Sequence, residues 1–119
     1  MANEHIKTAA ANLQRAAQDG REQQNAFRHQ IDDSKRECAT RIAAIKAQMG
    51  QMQRIQADPN VNESLKVANS IQMQNLNNEI AQTQKDNDRF VSEVNNQISG
   101  LDGQIREFEN IASRLNGMA

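Results

Sequence analysis

Apolar and small residues return every three or four positions along almost the whole chain. In the first half the series runs Ile6, Ala10, Leu13, Ala17, Gly20, Gln24, Phe27 and Ile31. This alternation of threes and fours is the signature of a coiled-coil seam. Beyond Ile31 an extra step of four carries it to Lys35, Cys38, Ile42, Ile45, Met49 and Met52, a stutter that locally relaxes the supercoil. The second half reads Leu76, Ile80, Thr83, Asn87, Phe90 and Val94. A double step of four then reaches Ile98, and Leu101, Ile105, Phe108, Ala112 and Leu115 follow. Each half thus forms one long helical arm with a single phase shift.

The only proline, Pro59, stands between the arms in Asp58-Pro59-Asn60. Proline is excluded from helix interiors but accepted in a first turn, where its missing donor would be unpaired anyway. The chain is therefore predicted to be all-α, a long antiparallel helical hairpin forming one domain over residues 1–119. Arm one covers about 3–56, the turn 57–60, and arm two about 60–116. Two caps are available: Asp58 with Pro59 in the first helical position, or Asn60 paired with Glu63 as a capping box. Asn116-Gly117 suits a left-handed cap at the far end.

A fold at Pro59 places residues whose numbers add to about 118 opposite one another. This sets the slim face Ala9, Ala10, Leu13, Ala16, Ala17 and Gly20 against the bulky Ile98, Leu101, Ile105, Phe108 and Ile111, as close packing requires. It also sets Gly20 level with Gly100 and Gly103. Glycine costs ~1 kcal/mol in a helix interior. Either these glycines let two continuous helices approach closely, or they mark a paired break or bend. Gln24, Lys35, Thr83 and Asn87 are polar residues in the seam, of the kind that pins register at a cost in stability.

Composition supports a narrow seam over a globular core. The chain has no Trp, no Tyr and three Phe, and roughly a quarter of its residues are Asn or Gln. Such polarity would starve a globule of this length, whereas a two-helix seam needs little apolar surface. Residues 1–57 carry nine Lys or Arg against six Asp or Glu, and residues 59–119 carry five against eight, so the arms attract weakly. Basic residues form no stripe along which phosphates could run, which argues against nucleic-acid binding. Nowhere do 18 apolar residues follow one another, and the first ten residues lack the apolar run of a secretory leader. No membrane insertion is expected, and the predicted compartment is cytoplasmic, with secretion by a non-classical route as the alternative.

Chemistry-bearing groups are sparse. His29 and Asp33 lie one helical turn apart with Asp32 and Glu37 nearby, a set that reads as a solvated face and not as a metal site. Cys38 is the only cysteine and falls in the seam, where it acts as a small hydrophobe. No phosphate-binding glycine loop, nucleophile elbow or carboxylate pair is present. Neither catalytic residues, metal nor cofactor are expected.

Near the turn, by contrast, the apolar stripe widens beyond what two helices cover for each other. The candidate partner interface consists of Ile42, Ile45, Met49, Met52 and Ile55 on arm one, and Val61, Leu65, Val67, Ile71 and Met73 on arm two. The predicted function is that of a non-enzymatic structural or scaffolding coiled coil. It would act through helix–helix association, with itself as dimer, four-helix bundle or filament, or with another helical protein. In outline and length the chain is similar to the WXG100-type secreted hairpins, with Asp58-Pro59-Asn60 where those carry Trp-x-Gly and no Tyr for their export signal. The alternative function is that of a protein-binding adaptor or chaperone, or, as the resemblance implies, a hairpin exported without a cleavable signal. Prefoldin-like chaperones also have two arms, but with a strand-forming insert at the tip that is absent here.

Overall fold

The computed structural model describes residues 2–119 and shows a helical hairpin of two helices, α1 (Ala2–Ala57) and α2 (Glu63–Met118), each 56 residues long. Both are unbroken through Gly20, Gly100 and Gly103, and no described residue has a positive φ. Of the two alternatives at the glycine level, the helices are continuous and the break is absent. So is the left-handed cap at Gly117, since α2 continues to Met118.

The chain turns at Asp58–Asn60 as expected, but α2 starts later than the sequence suggested. Asp58 Oδ1 accepts a hydrogen bond from the Asn60 amide at 2.9 Å, and the Asp58 carbonyl accepts one from Val61 at 3.3 Å. Pro59 is thus the second residue of a β-turn and not the first of a helix. With its carboxylate spent closing that turn, Asp58 cannot cap α2. Asn62 caps instead, its Oδ1 accepting from the Leu65 amide at 2.8 Å, and the first backbone bond of α2 runs from Lys66 to the Asn62 carbonyl. Neither predicted cap forms, and arm two begins at Glu63, not at about 60.

The chain divides into two compact units. One joins residues up to Ile31 with Ser92–Ala119, and the other is Asp32–Val91. In the first unit Ala10, Ala17 and Ile31 of α1 and Val94, Ile98, Ile105 and Ala112 of α2 are buried. Ile6, Leu13, Phe27, Leu101, Phe108 and Leu115 lie half-buried between them. Ala112, not Ile111, turns inward, leaving Ile111 exposed. Gly20 faces Ile105: a Cβ built on Gly20 would lie 2.9 Å from Ile105 Cγ1 and 3.2 Å from its Cδ1. Glycine here permits the close approach of an isoleucine, while Gly100 and Gly103 face open space. Gln24 is 4% exposed, and its Nε2 donates to the Ile98 carbonyl at 2.9 Å and to Asp102 Oδ1 at 2.6 Å.

In the second unit the inward line of α1 is Ser34, Cys38, Ile42, Ile45, Met49, Met52 and Gln56. That of α2 is Lys66, Asn69, Met73, Leu76, Ile80, Thr83, Asn87 and Val91. Two positions differ by one residue from the expected seam. Ser34 turns in and Lys35 stays exposed; Val91 turns in and Phe90 stays exposed. The consecutive steps of four are therefore 34–38–42 on α1 and 83–87–91 on α2. Across this unit, paired residue numbers add to 121 for Ser34 with Asn87 and for Cys38 with Thr83, not to 118, because the turn ends at Asn62. The two stutters overlap at one level, so the arms change phase together.

Candidate partner-binding surface

The seam is polar where the stutters meet. Ser34 Oγ donates to Asn87 Oδ1 at 2.5 Å, and the Cys38 thiol lies 3.9 Å from the Thr83 carbonyl. On either side of this layer runs an open trough. One is lined by Lys35, Ala39, Ile42, Ala43, Lys46, Gln84 and Asp88, the other by Glu37, Arg41, Asp86 and Phe90. Neither is an enclosed cavity of the kind that buries a small ligand. Among the described residues no three His, Cys, Asp or Glu side chains converge on a point, and Asp33 forms an exposed ion pair with Arg36 at 3.8 Å.

Closer to the turn, Asn69 is buried between the helices. Its Nδ2 donates to the Met52 carbonyl at 2.8 Å and to Gln56 Oε1 at 3.1 Å, and Gln56 Nε2 donates to Ser70 Oγ at 2.6 Å. Sequence reasoning missed this polar layer because it searched for apolar residues. Stepping back from Leu76 by three and four lands on Met73, Asn69 and Lys66, so the spacing alone would have found it.

The ten residues of the predicted interface separate into three groups. Ile45 is buried between α1 and α2, and Ile42, Met49, Met52, Val61 and Met73 are half-buried. Ile55 and Leu65 occupy the positions just before the inward Gln56 and Lys66. They border the same edge of the seam as Arg41 and Glu79, which precede Ile42 and Ile80 and pair at 2.8 Å. Leu65 is 52% exposed. Val67 and Ile71 form the third group, each 58% exposed. At 3.6 residues per turn they sit roughly 140° and 180° around α2 from the middle of its inward line, on the outer face of the hairpin. The widened stripe is thus an edge and a separate outer ridge.

The outer ridge continues as a second stripe. Val67, Ala68, Ile71, Gln74, Asn75 and Asn78 are all exposed and recur at helical spacing. Residues 67–78 contain no charged residue, in a chain where 24% are charged. Residues 32–37, by comparison, carry five. Depletion of charge is what distinguishes the buried centre of a protein interface from ordinary surface.

No helix among the described residues is long and apolar enough to cross a membrane. Comparison with protein-family models, with curated proteins and with solved structures finds no match to the chain.

Proposed function

We propose that this chain is a non-enzymatic scaffolding coiled coil that acts by helix–helix association, with further copies of itself as its first partner. The observation that carries this reading is the exposure of Val67 and Ile71 on the outer face of α2. They lie opposite a seam that already uses the inward residues of both helices, so no side-chain adjustment within one hairpin covers them. Apolar residues that recur along one exposed helix face with no charge among them mark a surface suited to association. Both troughs beside the polar layer are open to solvent, which suits a protein surface better than a small-molecule site.

The reading is tested by molar mass against concentration, using light scattering or sedimentation equilibrium. Mass that rises above 13.3 kDa on concentrating and falls on dilution is the expected result. A strict monomer at every concentration overturns it and leaves the outer ridge to a different protein, as in an adaptor.

A further inference from the structure

The outer face of α2 is suited to one particular partner. A surface carrying a patch of one charge repels a two-fold copy of itself, because each charge meets its own kind across the axis. Residues 67–78 carry no charge at all. Their exposed polar members, Gln74, Asn75 and Asn78, have amide side chains, each with both a donor and an acceptor. An amide can hydrogen-bond to an identical amide, which neither a lysine nor a glutamate can do. Ile71 stands in the middle of the stripe, with Val67 and Ala68 on one side and Gln74 and Asn75 on the other.

We infer that two copies associate through the outer face of α2 about a two-fold axis, with Ile71 of one copy packed against Ile71 of the second. This rests on the self-association proposed above and names its contact surface. The stripe from Val67 to Asn78 is ~16 Å long on a helix ~10 Å wide, a footprint of about 160 Å² per copy. A standard stable interface takes ~800 Å² per partner. The contact is therefore weak and reversible, and it is to be measured up to the highest concentration at which the chain stays soluble.

The test uses Ile71→Asp and Ile71→Lys in the full chain. Ile71 is more than half exposed, so both variants keep their helix content, which circular dichroism checks. Each variant alone sets like charges against each other on the axis and weakens self-association at least ~10-fold. Mixed in equal amounts, they bring opposite charges together, and sedimentation shows the two-chain species restored. If the wild type associates but the mixture stays as monomeric as its components, Ile71 does not meet its own copy, and this inference fails while self-association stands. Should Ile71→Asp associate as well as the wild type, the contact lies elsewhere, for instance in the trough beside Ala39 and Ala43. A wild type that is monomeric throughout removes both the inference and the reading beneath it.

Discussion

Replacing Gly20 with alanine sets two known effects against each other at one place. Alanine in a helix interior is better than glycine by ~1 kcal/mol, because glycine gives up more backbone freedom on folding. Against this, the new Cβ would lie 2.9 Å from Ile105 Cγ1 and 3.2 Å from Cδ1. Ile105 is buried and β-branched, so its χ1 is stiff and Cγ1 cannot swing aside without driving the other branch into the seam. Overpacking of this kind costs ~1–3 kcal/mol. The expected net result for Gly20→Ala is a change between zero and ~2 kcal/mol of destabilisation. Gly100→Ala and Gly103→Ala meet nothing within 4 Å and gain the full ~1 kcal/mol each. For a chain of this size that is about 4 °C in melting midpoint. Urea and thermal unfolding followed by far-ultraviolet circular dichroism separate these outcomes. In an Ile105→Ala background the obstruction is gone, and Gly20→Ala should then stabilise by ~1 kcal/mol, a coupling of ~1–3 kcal/mol in the double-mutant cycle. If Gly20→Ala raises the midpoint as much as Gly100→Ala in the wild-type background, the two helices do not pack as closely at this level as described.

Asn62→Ala removes the side-chain acceptor of the Leu65 amide and should cost ~1 kcal/mol, with faster amide exchange in the first turn of α2; no change in exchange at Leu65 would show that Asn62 is not the cap. At the stutter of α2, Val91→Asp should destabilise by ~2–3 kcal/mol and Phe90→Asp by less, because Val91 faces α1 and Phe90, 37% exposed, lies on the rim of the trough. A reversed order in urea unfolding would return the phase shift to the position that the apolar pattern alone suggests.

Most of the hairpin is legible in the spacing of its apolar residues, because a two-helix seam leaves one solution to a sustained alternation of threes and fours. The positions that misled are those where a neighbour is the more obvious choice. Phe90 is larger and more apolar than Val91, and Lys35 continues the series from Ile31 as well as Ser34 does. At a stutter the period changes, so the preceding repeats no longer say which of two adjacent residues faces in. The opposite arm decides: Ser34 reaches Asn87, and the phase shift of α1 meets that of α2. The sequence offered Asp58 and Asn60 as caps, and with the Asp58 carboxylate closing the proline turn the cap falls to Asn62, which the sequence reading did not single out. That small displacement shifts the cross-helix pairings near the turn, while Gly20 meets Ile105 and not Gly100 or Gly103 because Ile105 is on the inward face of α2 and both glycines are exposed. The candidate surface was half legible. Composition showed surplus apolar residues near the turn, but which of them a helix turns inward depends on a phase that only the inward Asn69 and Lys66 positions establish.

The buried Asn69 has a consequence for the order in which the chain assembles. Its hydrogen bond to Met52 spans 17 residues and the neighbouring Gln56–Ser70 bond 14, whereas Gln24 reaches across 74 to Ile98. Short loops close at lower entropic cost, so pairing next to the turn forms early and the Gln24 level joins late. A chain that zips in this direction commits to its alignment in the first layers it closes. An early slip by one heptad towards Met49 would leave the Asn69 amide without Gln56 Oε1, because a backbone carbonyl recurs at every level and a side-chain acceptor does not, and a buried donor left short of a partner is costly. The Asn69–Gln56 pair thus favours one alignment at the level where the fewest turns of helix would have to be undone to correct another.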